Sequence, residues 1–97
     1  MTQYIISRPA IRDLESISSY FAEVNIDAGE RFLKGFNKRC QQLVSFPNMG
    51  RCYDDLNPGL RGLPLEGYII LYRVLENGIE IVRIANGRQD LRSLFDA

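Results

Sequence analysis

The chain has 97 residues, enough for one domain and too few for two domains with separate cores. Because 45% of the residues are hydrophobic and 25% are charged, the composition is typical of a globular protein and not of a disordered tail. Twelve basic residues balance twelve acidic ones, so there is no surplus of positive charge to attract nucleic acid.

Histidine is absent, which removes the usual general base near neutral pH and the commonest metal ligand. The two cysteines, Cys40 and Cys52, do not make a disulfide framework and have no zinc-site spacing. The N-terminal residues lack the pattern of a signal peptide, and no apolar run approaches the length that spans a bilayer. We therefore expect a cytoplasmic protein with reduced thiols, no metal ion and no cofactor.

The chain begins with a predicted strand and helix. A Tyr-Ile-Ile run within residues 2–7 favours a strand. Ser7 and Pro9 then mark a helix start, because serine accepts hydrogen bonds from free amides and proline is tolerated in the first turn. The helix is predicted over 9–24, and its apolar residues recur at helical spacing: Ile11, Leu14, Ile17, Phe21 and Val24.

A second helix is predicted over 28–45. Asp27 and Glu30 resemble a capping box at its start, and the helix ends before Pro47. The link between the helices is so short that they must form an antiparallel hairpin. The apolar stripe of this helix consists of Phe32, Phe36, Cys40, Leu43 and Phe46.

The second half of the chain predicts a loop and three strands. Residues 46–59 are rich in Pro, Gly, Asn and Asp, which is typical of a surface loop. Pro64 interrupts the next strand and places it at an edge or a bulge. Two β-rich runs follow, joined by Asn77-Gly78, the preferred two-residue hairpin turn. Since both runs are nearly all apolar, we expect this hairpin in the centre of the sheet.

A two-residue turn at Asn77-Gly78 also predicts the register of the hairpin. Glu76 would face Ile79, Tyr72 would pair with Arg83, and Arg73 would pair with Val82. Arg73 and Arg83 would then lie on opposite faces of the sheet. The predicted order is β-α-α-β-β-β, followed by a short tail from Arg88. This is an α+β domain, with an antiparallel helical hairpin packed on one face of a small, mostly antiparallel sheet.

Two polar features have both a functional and a structural interpretation. Arg88 and Asp90 in the turn after the last strand could form an acid-base pair or a substrate clamp, but an ion pair that stabilises the turn is favoured. Tyr68 and Tyr72 share one sheet face, where tyrosines could stack a nucleic-acid base. Aromatic residues in a central strand more often belong to the core, so that interpretation is favoured.

A metal-free ribonuclease without histidine would need clustered Lys, Tyr, Arg or carboxylate side chains with shifted pKa values. The predicted strands and loops supply tyrosines and four arginines but no lysine: Arg61, Arg73, Arg83 and Arg88. This set of side chains is poorly suited to RNA cleavage, so no catalytic residue is assigned.

Four segments together resemble the ParE branch of the RelE/ParE superfamily, the toxins of bacterial type II toxin-antitoxin modules. "YIISRPAIRDLESISSYFAE" resembles a strand followed by A-x-x-D-L-x-x-I-x-x-Y, and "FPNMGR" resembles F-P-x-x-G-R. "LRGLPLEGYIILYRV" resembles L-R-x-x-P-x-x-x-Y-x-I-x-Y-R, and "IEIVRIANGRQDL" resembles I-x-I-x-R-V-x-H-G-R-R-D. Asn86 and Gln89 stand where that last motif commonly has His and Arg.

The resemblance implies a RelE/ParE-like fold and a growth-inhibiting toxin that is not an enzyme. It implies that the toxin inhibits DNA gyrase and that a cognate antitoxin, ParD-like or similar, neutralises it in a hetero-oligomer. Neither a membrane nor direct nucleic-acid binding is expected. The alternative is a RelE-like ribosome-dependent mRNA endonuclease, which the shared fold and the arginines would support.

The resemblance further implies that an antitoxin segment, disordered when free, folds on the toxin, with its acidic residues meeting arginines. Because the domain is small and has a proline-interrupted strand and an apolar tail, the free toxin is expected to retain exposed apolar surface and sheet edge. The residues predicted to bind antitoxin or target are Arg61, Arg73, Arg83, Arg88, Asp90, Leu91, Leu94 and Phe95.

Overall fold

Two helices pack on one face of a five-stranded mixed sheet in the computed structural model, which describes residues 3–95. This confirms the predicted α+β fold and adds one short strand, Arg51–Cys52, within the predicted loop. A 3₁₀ helix follows the last strand. In chain order the elements are β1 (Gln3–Ile6), α1 (Arg8–Val24), α2 (Ile26–Ser45), β2 (Arg51–Cys52), β3 (Leu60–Leu65), β4 (Tyr68–Leu75), β5 (Gly78–Asn86) and the 3₁₀ helix (Leu91–Leu94).

The strands lie in the order β1-β5-β4-β3-β2, so the β4–β5 hairpin is central, as predicted. β1 is parallel to β5, and the other neighbours are antiparallel. β2 pairs with β3 only at Arg61 and Gly62. Pro64 therefore lies where β3 has no partner on its outer side, which confirms the expected edge position, although the strand itself is continuous.

Each helix begins at a side chain that accepts a hydrogen bond from a free backbone amide. Ser7 Oγ accepts from the amide of Ala10 at 3.2 Å and caps α1, as predicted. The predicted capping box of α2 is wrong, because Asn25 Oδ1 accepts from the amide of Ala28 at 3.1 Å. Asn25 has an extended backbone, so this one residue ends α1 and starts α2.

The predicted register of the β4–β5 hairpin is wrong. Leu75 pairs with Gly78, so Glu76 and Asn77 form the turn. A β-bulge next to Tyr72 shifts the register again farther along the hairpin. Tyr72 therefore faces Ile81 rather than Arg83, Arg73 faces Glu80 rather than Val82, and Leu71 faces Arg83.

The turn that connects β3 to β4 has positive φ angles, which the β4–β5 turn residues Glu76 and Asn77 do not have. Glu66 has a φ of 49° and Gly67 a φ of 82°, and both connect β3 to β4. Gly78 is required for a different reason, since a Cβ there would lie 2.0 Å from the carbonyl oxygen of Gln3 in β1. The close approach of β1 therefore explains this glycine.

Apolar residues cover both faces of the sheet. The larger core lies between the helices and the sheet, and the smaller one is centred on Leu60, Leu71 and Ala85 on the opposite face. Four of the five predicted stripe residues of α2 are buried: Phe32, Phe36, Cys40 and Leu43. The fifth, Phe46, follows the helix and is 67% exposed.

Candidate partner-binding surface

Three of the predicted binding arginines are already bonded within the fold. Arg83 Nε and Nη2 donate to the carboxylate of Asp13 in α1 at 2.8 and 3.0 Å. This hydrogen bonding raises the pKa of Arg83 above its ordinary value. Arg73 Nη2 donates to Asn57 Oδ1 in the loop on the other side of the sheet. Arg83 therefore contacts a helix and Arg73 a loop, and their predicted strand partners were wrong.

Arg61 extends from β3 to the loop that follows α2. Its Nη1 donates to the carbonyl oxygens of Asn48 at 3.2 Å and Gly50 at 2.8 Å. A guanidinium that satisfies two backbone carbonyls stabilises the loop. The side chain is half-buried, so part of it remains accessible.

Asp90 caps the 3₁₀ helix instead of pairing with Arg88. Its Oδ1 accepts from the amide of Arg92 at 3.1 Å, and its carbonyl oxygen accepts from Ser93 Oγ at 2.7 Å. The ion-pair interpretation of this turn is therefore wrong. The salt bridge found within residues 3–95 is Arg83–Asp13, and Arg88 is exposed.

The C-terminal apolar residues pack on their own sheet. Leu91, Leu94 and Phe95 are half-buried against the smaller core on the face away from the helices. The protein does expose apolar surface, as expected, but this tail contributes only part of its side chains to it. The cause is the 3₁₀ helix, which begins at the Asp90 cap and turns the chain back over β5 and β4.

Both tyrosines of β4 belong to the core, as favoured from their positions in a central strand. Tyr68 makes edge contacts with the rings of Phe21 and Phe32, with centroids 6.5 and 5.2 Å apart. Tyr72 is fully buried, and its hydroxyl donates to the carbonyl oxygen of Pro47 at 2.7 Å. Burial raises the pKa of Tyr72, so its phenol is a poor general base near neutral pH.

The loop from Phe46 to Gly50, here called the anchored loop, combines buried polar contacts with exposed apolar side chains. The amide of Gly50 donates to the hydroxyl of Tyr72 at 2.9 Å. The side chains of Phe46 and Met49 are 67% and 44% exposed. This surface was not predicted from the sequence, because Phe46 fits the periodicity of the helix core. The sequence feature that could have indicated this surface is the F-P-x-x-G-R segment, which covers the loop.

A second apolar surface lies between the two helices. This helical groove has a volume of about 310 Å³ and is lined almost entirely by apolar side chains. Ile26 and Leu33 on its rim are 66% and 48% exposed. The floor is tight, because a Cβ at Gly29 would lie 2.9 Å from Cβ of Phe21.

Residues 3–95 contain neither a cluster of metal-ligating side chains nor a helix that could span a membrane. Within this part of the chain, His, Cys, Asp and Glu side chains form no group of three or more that could hold a metal ion. Neither helix in this part combines the length and apolar character of a membrane span.

Relatives of the chain identify its family. The family model described as the ParE toxin of the type II toxin-antitoxin system parDE matches residues 4–91. Toxin ParE3 of Caulobacter vibrioides is 32% identical over 92 residues, which cover 94% of this chain and 92% of that protein. A solved structure described as a chromosomal ParDE TA system from P. aeruginosa has the same fold, with a TM-score of 0.73 at 24% identity over 89% of this chain and 96% of that one. The chain therefore belongs to the ParE toxin family of type II toxin-antitoxin systems.

Proposed function

We propose that this ParE-family toxin acts by binding a protein, DNA gyrase, rather than by cleaving RNA, and that a cognate antitoxin neutralises it. The observation that carries this proposal is that the polar side chains suited to catalysis are hydrogen-bonded within the fold. Among the tyrosines and arginines that a metal-free ribonuclease would draw on, Tyr72, Arg61 and Arg83 are each bonded to the toxin's own loop or helix. Apolar side chains are exposed instead, which favours a protein partner.

The test of the gyrase proposal is a supercoiling assay with purified toxin and gyrase. Supercoiling should fall as toxin is added, and an equimolar amount of antitoxin should restore it. Normal supercoiling in excess toxin, together with cleaved transcripts in cells that express it, would instead support the ribosome-dependent endonuclease.

The antitoxin segment is proposed to insert apolar side chains into the helical groove and to place acidic residues near the predicted arginines. A short apolar helix fits a groove between two helices, because its anchors at i, i+3 and i+7 face one side. Replacing Ile26 and Leu33 with alanine should weaken antitoxin binding, which isothermal titration calorimetry would measure. The complex should melt above the free toxin, because a ligand that binds only the folded state stabilises it.

Charge reversal tests the arginine part of this proposal. Arg88→Glu is the cleanest variant because Arg88 is exposed, whereas reversal of Arg83 would also break its ion pair with Asp13. If Arg88 contacts the antitoxin, the off-rate should rise at low salt. Arg12→Glu, an equal change at an exposed position of α1, serves as the control. Equal off-rates for both variants would remove Arg88 from the interface.

A further inference from the structure

We propose that the anchored loop is the surface by which the toxin binds its protein target, and that this surface takes an acidic segment with apolar anchors. The inference rests on the proposed function only in assuming that the target is a protein. The loop is held in place by side chains of the sheet. Tyr72 and Arg61 bind three carbonyl oxygens and one amide of this loop, those of Pro47, Asn48 and Gly50.

The backbone of the loop also lies too close to the sheet to move freely. A Cβ at Gly50 would lie 2.6 Å from the hydroxyl of Tyr72 and 2.9 Å from the carbonyl oxygen of Gly62. Phe46 has the largest exposed fraction of the large hydrophobic side chains described within residues 3–95. A rigid loop that holds Phe46 and Met49 in solvent loses little entropy when they are buried by a partner, as in interface hot spots.

Basic residues near the loop favour an acidic partner. Residues 38–53 contain three basic residues, Lys38, Arg39 and Arg51, and no acidic residue, although the whole chain is neutral. In the last turns of α2, just before Phe46, Arg39 Nη1 donates to Gln42 Oε1 at 3.2 Å. On the other side of the loop, the guanidinium of Arg51 lies over the ring of Tyr53, 5.4 Å from its centroid. An acidic segment would be attracted to this region and oriented on it.

The anchored loop is separate from the helical groove proposed for the antitoxin. Leu33 lies thirteen residues before Phe46 along α2, and the helix rises about 1.5 Å per residue, so the two sites are about 20 Å apart. Substitutions at the loop therefore distinguish target binding from antitoxin binding.

The experiment compares two double alanine variants expressed without antitoxin. Phe46→Ala with Met49→Ala should relieve growth arrest and raise the toxin concentration needed to inhibit gyrase by about tenfold or more. Tyr20→Ala with Ile11→Ala is the matched control, since these side chains are 56% and 45% exposed on α1. The control should arrest growth as the wild type does. Both variants should melt cooperatively and retain wild-type antitoxin affinity.

A second experiment tests the charge of the surface. Arg51→Glu should weaken inhibition of the target, and more so at low salt than at high salt. The control Arg12→Glu should inhibit the target as the wild type does. Full toxicity of the Phe46/Met49 variant would overturn the proposal, as would a loss of antitoxin affinity in that variant. Wild-type toxin without gyrase could also be mixed with a 20-base-pair DNA duplex. If it binds the duplex and the Phe46/Met49 variant does not, the surface binds nucleic acid, and the proposal of a protein partner is overturned. If growth arrest depends on Phe46 and Met49 while gyrase remains active, the surface is supported and the gyrase assignment fails.

Discussion

Asp13 in α1 and Arg83 in β5 are 70 residues apart in sequence and form a bidentate ion pair, with Nε–Oδ2 and Nη2–Oδ1 distances of 2.8 and 3.0 Å. The same carboxylate accepts from the backbone amide of Ile84 at 2.9 Å. This amide lies beyond the part of β5 that β1 pairs with, so Asp13 satisfies a strand edge that β1 leaves open. The first helix is thereby fixed to the central hairpin.

Replacing Asp13 with alanine should lower the free energy of unfolding by about 2 kcal/mol, because it leaves a half-buried guanidinium and a backbone amide without their acceptor. Urea denaturation at neutral pH measures this change. Glu15→Ala is the control, since Glu15 is exposed on the same helix and its loss should change stability by less than about 0.5 kcal/mol. Equal effects of the two variants would show that the ion pair contributes nothing specific.

The turn at Glu66 and Gly67 predicts a stabilising substitution. Glu66 adopts a positive φ of 49°, which is unfavourable for glutamate and more easily adopted by asparagine. Glu66→Asn should therefore stabilise the protein by about 0.5 kcal/mol, measured as a higher urea midpoint. Glu76→Asn in the β4–β5 turn is the control, because its φ is not positive. A gain at Glu76 as large as that at Glu66 would contradict this explanation.

The elements of the fold were predictable from sequence because their signals are local. Apolar residues at helical spacing marked α1 and α2, and β-rich runs marked the central hairpin. The register of that hairpin was not predictable, because it depends on a bulge next to Tyr72 and on the approach of β1 to Gly78. The approach of β1 joins segments distant in sequence, and the bulge depends on how β4 and β5 pair, so no local pattern reports either.

The binding surface was less predictable than the fold. Periodicity assigned Phe46 to the core, yet the helix ends one residue earlier and the side chain points to solvent. The arginines were chosen by residue type, but their intramolecular acceptors, such as Asp13 and the carbonyl of Gly50, depend on the tertiary structure. Residue type alone does not distinguish an arginine that binds a partner from one that holds the fold together.

The thiol of Cys40 predicts how stability depends on pH. Cys40 is buried in the core, and burial raises its pKa from 9.0 to about 12. Below pH 9 the thiol is protonated in both states and its contribution is fully present. Above pH 9 the unfolded chain releases this proton while the folded chain retains it, so stability falls by at most about 1.4 kcal/mol per pH unit.

Urea denaturation at pH 8 and pH 10 tests this contribution. Cys40→Ala should be less stable than the wild type at pH 8, but it should lose about 1 kcal/mol less between the two pH values. Leu43→Ala is the control because Leu43 is also buried but does not titrate, so its pH dependence should match that of the wild type. Identical pH dependence in the wild type and Cys40→Ala would contradict the raised pKa.

The hydroxyl of Tyr72 is predicted to hold the anchored loop in place. Tyr72→Phe keeps the ring in the core but removes the acceptor for the buried amide of Gly50 and the donor to the carbonyl of Pro47. An unsatisfied buried amide costs about 1–3 kcal/mol, so the urea midpoint should fall. Hydrogen exchange at the Gly50 amide should quicken, while the amides of β4 remain protected relative to the new global stability. Tyr20→Phe removes an exposed hydroxyl and should change neither quantity.

Unchanged exchange at Gly50 in Tyr72→Phe would mean that Arg61 alone anchors the loop. In that case Arg61→Ala should release it, with the same fast exchange.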